Sequence, residues 1–441
     1  MSATAHVSPT LQADASAEGD AALRNLQDPT GAADVALQAG CRACGSKGLS
    51  VFLSLGNLPL SDGFLDAADL GEAPLYPLDV AFCPTCSLVQ ILETVPPETL
   101  FAADYPYFSS FTDTLLRHSE INVNACIEER KLGPESLVVE LASNDGYLLQ
   151  YYQAHGIPVL GIDPAPGPVQ VARSKGIDSL LAFFGTALAV ELASQGRRAD
   201  VIHANNVLAH VADTNGFVRG IATLLKDDGV AVIEAPYVKD LIDHGEFDTI
   251  YHEHLCYFSV TALRDLFERH GLFLNRVTPL SIHGGSLRLF VEKHDCPRHS
   301  VTEYLQAEHR LGLDRLEYYA DFSTRVAQIR SELKSLLQDL KRRNARIVGY
   351  GAAAKGTIML NYVGIGADIL DFVVDRNVHK QGRYVPGVRL KIESPDRLLE
   401  VQPDYVLILP WNFQDEIMTQ QAEYRRRGGR FIIPVPRPVI L

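Results

Sequence analysis

The run Tyr251-His252-Glu253-His254 places two histidines, a glutamate and a tyrosine within four residues, and four cysteines fall into two CxxC pairs, Cys41/Cys44 and Cys83/Cys86. Histidine titrates near neutrality, and an adjacent Glu or Tyr can fix its tautomer and share its proton, so the run reads as acid–base machinery. A metal centre there fits less well. HxH lacks the i, i+4 spacing of a zincin helix, and no third ligand is evident in the sequence. The CxxC pairs read differently. One such unit wraps one side of a tetrahedral zinc ion, two close the shell, and four thiolates leave no open position for chemistry, which predicts a structural zinc site. The long insert between the pairs carries the turn signals Leu58-Pro59-Leu60 and Ser61-Asp62-Gly63 and is expected to fold as a hairpin lobe. Seven cysteines are an odd number and argue against a disulfide framework, leaving Cys126, Cys256 and Cys296 as expected buried, inert thiols.

A second centre begins where the apolar run Leu137–Leu141 meets Ala142-Ser143-Asn144-Asp145-Gly146, a small-residue turn opening a helix. A dinucleotide site would need GxGxxG there, so that bare backbone cradles a pyrophosphate. The corresponding positions are instead Ala142, Asn144 and Gly146, flanked by Glu140 and Asp145, and carboxylates repel phosphate. They suit a cationic adenosine ligand, S-adenosylmethionine. The next apolar run ends in Asp163, twenty-three residues after Glu140, where a ribose diol is gripped in a doubly wound sheet. After the run 200–204, Asn205, Asn206 and His210 are placed to line the crevice at the strand ends. The stretch 281–288 adds His283, a glycine bend and Arg288, suited to an oxygen-rich substrate.

These groups need elements to hold them. The chain has 441 residues, enough for two or three domains with their own cores. Alternating apolar runs and helical patterns predict an α/β protein with three lobes: a zinc-binding lobe at 41–95, a Rossmann-like domain at 96–300 that would hold the S-adenosylmethionine, and, beyond a helical connector at 301–345, a second Rossmann-like domain at 346–441. In the connector, Phe322, Val326, Ile329, Leu333, Leu336 and Leu340 recur at helical spacing. Residues 1–40 read as a disordered acidic tail without a secretory or transit signal, which points to the cytoplasm. The 54 acidic against 40 basic residues disfavour nucleic-acid or anionic-lipid partners, and no apolar run is long enough to span a membrane.

The last lobe opens with Val348-Gly349-Tyr350-Gly351-Ala352-Ala353-Ala354-Lys355-Gly356, and its next strand ends in Asp375. That pattern keeps an NAD-dependent oxidoreductase in play. A non-catalytic zinc-bearing interaction module is a third reading, which the polar cluster around His254 disfavours.

Taken in order, CRACG, CPTCSLVQ, ELASNDGYLL, IYHEHLCYFS, HGGSLR and VGYGAAAKG resemble the S-adenosylmethionine-dependent C-methyltransferases of deoxysugar biosynthesis, in particular the TDP-sugar C-3-methyltransferase branch, over residues 41–441. The resemblance makes the 96–300 domain a class I Rossmann-like methyltransferase domain and implies a 4-keto nucleotide sugar, TDP-linked, deprotonated beside its carbonyl, with the enolate taking the methyl group. It makes His254 the general base and has Tyr251, Glu253 and His210 orient it or bind sugar oxygens. Tyr105 matches a tyrosine reaching the same pocket, and the last lobe goes to the sugar nucleotide, with Lys355 meeting phosphate. No metal takes part in the chemistry, and the protein is taken as a monomer or small homo-oligomer.

Overall fold

The computed structural model describes residues 40–441 except 69, 72, 101–107 and 283–284. The acidic tail, Tyr105 and His283 therefore lie outside the described residues. The insert between the two cysteine pairs forms an antiparallel hairpin, β1 (Ser50–Pro59) and β2 (Leu75–Phe82), and β3 (Val89–Ile91) follows the second pair. Both pairs end in the same tight loop, with Gly45 N donating to Cys41 O at 2.8 Å and Ser87 N to Cys83 O at 2.9 Å. Gly45 and Ser87 each take the left-handed conformation that closes such a loop. The loops bring the four sulfurs together: Cys41 and Cys86 Sγ are 3.5 Å apart, Cys44 and Cys83 Sγ 3.6 Å, and all four lie within 4.8 Å of one another. Zn–S bonds of about 2.3 Å in a tetrahedron set sulfurs roughly 3.8 Å apart, so the cluster fits zinc. The outlying thiols divide: Cys126 and Cys256 are buried as expected, whereas Cys296 is exposed, because its segment leaves the sheet for the surface after residue 292.

The second sheet is built from β4 (Val138–Leu141), β5 (Val159–Asp163), β6 (Ser179–Leu181), β7 (Ala199–Asn205) and β8 (Leu225–Pro236), all parallel. The short strand β9 (Cys256–Tyr257) departs from it, and β10 (Phe273–Leu280) and β11 (Ser286–Glu292) then close its edge antiparallel. The order is β10-β11-β8-β7-β4-β5-β6. β5 and β7 flank β4 on opposite sides, so the strand order reverses at β4 and opens a crevice at its carboxyl end. The strands read as near-continuous Val/Ile/Leu runs because helices cover both faces.

β9 joins the first sheet instead, with Val89 opposite Tyr257 and Gln90 opposite Cys256. Ile91 N donates to Leu255 O at 3.1 Å just beyond it. A segment far along the chain thereby completes the cysteine-bearing lobe.

Helix α1 (Phe322–Arg342) connects to the third sheet and buries Phe322, Val326, Ile329, Leu333, Leu337 and Leu340. Leu337, not Leu336, continues the stripe, since a 3.6-residue turn carries position 333 onto 337 and then 340. The third sheet comprises β12 (Ile347–Tyr350), β13 (Val373–Val374), β14 (Ile392–Glu393), β15 (Tyr405–Ile408) and β16 (Arg430–Ile433), all parallel, with β17 (Val439–Ile440) antiparallel at its edge. The insert between the cysteine pairs grips this lobe. Leu65 bridges to Tyr384, Thr357 Oγ1 donates to Ser61 O at 2.9 Å, and Arg383 pairs with Asp66 at 3.3 Å. Among the described residues no helix is long and apolar enough to cross a membrane.

Structural zinc sites in small lobes contribute roughly 10–16 kcal/mol to folding. Cys83→Ser, which leaves three thiolates, is expected to purify with under about a tenth of the wild-type zinc and to lose the ordered first sheet; metal analysis and near-UV circular dichroism check this. Full zinc occupancy with native spectra would contradict it.

Candidate active site

A cavity of about 660 Å³ lies where the three lobes meet. Its floor is the crevice at β4. Ala142, Asn144 and Gly146 all have positive φ, at 56°, 49° and 76°, so the positions that are glycines in a dinucleotide turn keep that backbone shape with side chains added. A left-handed alanine costs about 1–2 kcal/mol, and here the strain is held by hydrogen bonds from neighbouring segments. Asp163 at the end of β5 accepts from Asn144 N at 2.9 Å and from Ala165 N at 2.8 Å, while Asn144 Oδ1 accepts from Ser109 N at 2.9 Å. Gly146 serves packing, since a Cβ there would sit 2.2 Å from Ile177 Cδ1.

Ala142, Asn144, Asp163, Asn205 and Asn206 line the cavity. Among the described residues the side-chain oxygens of Asn205 and Asn206 are buried without a hydrogen-bond partner, and such acceptors suit a ligand carrying N–H or O–H groups. Asn206 is itself left-handed at φ 53°. Glu140, Asp145 and Gly146 are not on the cavity wall. Glu140 is buried beneath the turn, where desolvation and the nearby Asp163 and Asp145 push its carboxyl well above the usual range. Asp145 is tied to Lys175 at 3.3 Å and to Ser110. The expected flanking pair of carboxylates therefore supports the turn from behind.

On the opposite wall stand Tyr251, Glu253, His254 and His210. His254 Nδ1 lies 3.0 Å from Thr249 O. A carbonyl only accepts, so Nδ1 carries the hydrogen and Nε2 is the basic nitrogen. Nε2 faces Tyr251 Oη at 2.8 Å, and the two rings lie 4.0 Å apart by centroid. The His210 ring stands edge-on to His254 at 4.6 Å, and burial lowers its imidazole to about 4, keeping it neutral. Glu253 is 4% exposed. Burial, with Asp62 adding repulsion against the opposing pull of Lys380, raises its carboxyl well above the ordinary range. The remaining member of the run, His252, turns away from the cavity.

The third lobe supplies Lys355 and Lys380 to the wall. Lys355 Nζ donates to Asn412 Oδ1 at 2.9 Å and lies 4.5 Å over the Trp411 ring, whose Nε1 donates to Asp248 at 2.8 Å. Burial lifts Glu246 to about 7 and Asp248 to about 6 against the pull of Lys355. Asp375 repeats the Asp163 arrangement, accepting from Ala352 N and Asn377 N, each at 2.7 Å. Arg288 is elsewhere: it stands opposite Glu234 of β8 in the antiparallel register, pairs with it at 2.7 Å and lies 3.1 Å from His118 Nε2. Sequence reading missed Asp62 and Lys380. Asp62 sits in a turn-like Ser-Asp-Gly, and the one available signal for Lys380 was its place shortly after the strand ending in Asp375.

Over residues 41–101 the chain matches the family model of a zinc binding domain, over 121–275 that of a methyltransferase domain, and over 281–436 that of a C-methyltransferase C-terminal domain. It is 34% identical to the C-methyltransferase NovU of Streptomyces niveus over 406 residues, covering 91% of this chain and 96% of NovU. The chain belongs to the S-adenosylmethionine-dependent C-methyltransferases. It is an enzyme of this class with a zinc-binding first lobe, and that membership decides between the methyltransferase and oxidoreductase readings. The ubiquinone biosynthesis O-methyltransferase of Azorhizobium caulinodans shares 30% identity over 97 residues, 22% of this chain and 38% of that protein. Magnesium protoporphyrin IX methyltransferase from Synechocystis is 18% identical, with TM-score 0.33 over 41% of this chain and 83% of that one, a likeness that carries no weight here.

Asp163→Ala removes both a carboxylate on the cavity floor and the acceptor that holds Asn144 N. Cofactor affinity is expected to fall at least about tenfold, the scale of losing a charged hydrogen bond, with a smaller change in turnover at saturating cofactor. Isothermal titration decides this, and equal affinity in both proteins would show that Asp163 does not hold the ribose.

Proposed function

We propose that the enzyme transfers a methyl group from S-adenosylmethionine to the carbon beside the ketone of a 4-keto, nucleotide-activated deoxysugar, with His254 as the general base. The observation that carries this reading is the His254 geometry. One ring nitrogen is fixed as a donor by the Thr249 carbonyl, and the other is left basic against the Tyr251 hydroxyl, with both residues on the cavity wall. S-Adenosylmethionine supplies an electrophilic methyl group and leaves as the neutral thioether.

Carbon acids ionise poorly, so the chain must position a base and stabilise the enolate as it forms. The proton taken from carbon ends on His254 Nε2, passed there through the Tyr251 hydroxyl at 2.8 Å. The imidazolium is then held between the Thr249 carbonyl and the Tyr251 oxygen, both acceptors. Glu253, its carboxyl pushed upward by burial and by Asp62, is placed to offer an O–H to the ketone oxygen where negative charge develops, the role a carboxylic acid can fill only when its pKa is raised. His210, neutral and edge-on, limits the travel of the His254 ring. Lys355, at the start of helix α2 (Ala354–Val363), faces the nucleotide phosphates, where the helix terminus and the ammonium both favour an anion. The cavity spans from the β4 turn to Lys355, which allows cofactor and sugar nucleotide to meet with their reacting carbons between them.

His254→Asn is expected to lower methyl transfer by roughly 10²- to 10⁴-fold, the share of a positioned base. It should also stop exchange of the acidic C–H with solvent deuterium when a 4-keto sugar nucleotide is supplied without the donor, as read by NMR. An undiminished exchange rate would remove His254 as the base.

The Lys355 corner predicts a pH effect. Glu246, lifted to about 7, is largely protonated below that pH and anionic above it, so rising pH adds a negative charge beside Lys355. KM for the anionic acceptor should therefore rise as pH passes through about 7, and Glu246→Gln should flatten the rise. An acceptor KM independent of pH in the wild-type enzyme would place the phosphates elsewhere.

A further inference from the structure

The two histidines of the Tyr251–His254 run have opposite destinations. His254 N donates to Tyr251 O at 2.9 Å, a tight turn that sets the Tyr251 and His254 rings together on the cavity wall and directs His252 backwards. His252 is 1% exposed and does not line the cavity. Its Nε2 lies 3.2 Å from Tyr76 O and 3.2 Å from Pro77 O, two carbonyls of β2, and its ring meets that of Tyr76 edge-on at 5.8 Å. Carbonyls only accept, so Nε2 carries a hydrogen shared between them. The other nitrogen, Nδ1, is buried without a hydrogen-bond partner among the described residues. The imidazole thus lies across two backbone carbonyls of the first lobe, away from the reacting atoms.

The rest of the turn is held through backbone. Leu255 N donates to Ala209 O at 2.7 Å, next to His210, and β9 pairs with β3. Residues 255–257 are therefore fixed, and His252 ties the part of the turn carrying Tyr251 and His254 to β2 by its side chain.

We infer that His252 is a positioning residue, pinning the Tyr251–His254 turn to β2 so that the base stands at a fixed height above the cavity floor. The inference rests on His254 acting as the base. Displacing a reacting group by about 1 Å can cost up to about 10²-fold in rate, so a tether that makes no contact with substrate can still govern turnover.

The test uses full-length, zinc-loaded His252→Phe, which keeps a ring and removes the donor. Its kcat should fall at least about tenfold, with acceptor KM, cofactor affinity and zinc content staying near wild type. Amide hydrogen exchange should quicken at residues 251–254 and stay unchanged in β1 and β2. His252→Gln, whose amide restores an N–H donor, should recover part of the rate. If the phenylalanine ring prevents folding, His252→Leu carries the same readings within a smaller volume. A folded variant without the donor that keeps wild-type kcat, or unchanged exchange at 251–254, overturns the proposal. Should wild type turn over no keto sugar, the reaction reading fails, and the exchange measurement still decides whether His252 holds the turn.

Discussion

The pairing of β9 with β3 is the contact on which the site depends. Tyr251, Glu253 and His254 belong by sequence to the segment that follows the cofactor strands, but the two residues just beyond them are hydrogen-bonded into the cysteine-bearing sheet. A turn left to its own propensity would have many conformations, and each residue fixed costs roughly 1–2 kcal/mol of backbone entropy. Strand pairing at one end and the His252 tether in the middle meet that cost away from the chemistry. The zinc-binding lobe thus places His254 indirectly: the cysteines hold β2 and β3, and β2 and β3 hold the turn.

The same lobe sets the distance across the cavity. Its long insert docks on the third lobe through Leu65, Ser61 and Asp66, so one hairpin beside the four-cysteine cluster holds both the His254 turn and the lobe that supplies Lys355 and Lys380. Asp62, Glu253 and Lys380 meet at this junction, one residue from each lobe. Charges buried there are tolerable because they face one another: Lys380 stands 3.7 Å from Asp62, and burial with the Asp62 repulsion pushes the Glu253 carboxyl toward its protonated form. Electrostatics within the cavity is therefore graded, with the raised Glu253 carboxyl and the neutral His210 imidazole near His254 and the cations Lys355 and Lys380 toward the third lobe.

Both Rossmann-like lobes use one device to shape their first turn. An aspartate closing the second strand accepts a backbone N–H from the turn after the first, Asp163 from Asn144 and Asp375 from Ala352. In the second lobe this lets Ala142 and Asn144 hold a left-handed backbone without glycine, which adds side chains to the cavity wall where bare backbone would otherwise stand. A single carboxylate can thus both fix the turn and offer its free lone pairs to a ligand.

The sequence by itself determined the α/β class, the four zinc ligands, the strand ending in Asp163 and the identity of the His254 run, because these rest on local spacing: CxxC geometry, apolar period and the distance from one strand to the next. It also marked Ala142, Asn144 and Gly146 as the positions of the turn, all three of which have positive φ. Only tertiary structure decided which polar groups face the cavity. Glu140, Asp145 and Arg288 look as suitable as Asp163 and Lys355 in one dimension, yet Glu140 is buried beneath the turn, Asp145 is neutralised by Lys175 and Arg288 by Glu234. Asp62 and Lys380 are more than 300 residues apart in the chain, and they meet only because the insert docks on the third lobe. The direction of a side chain depends on which neighbour its backbone pairs with, and for His252 and His254 that neighbour is a strand some 170 residues earlier.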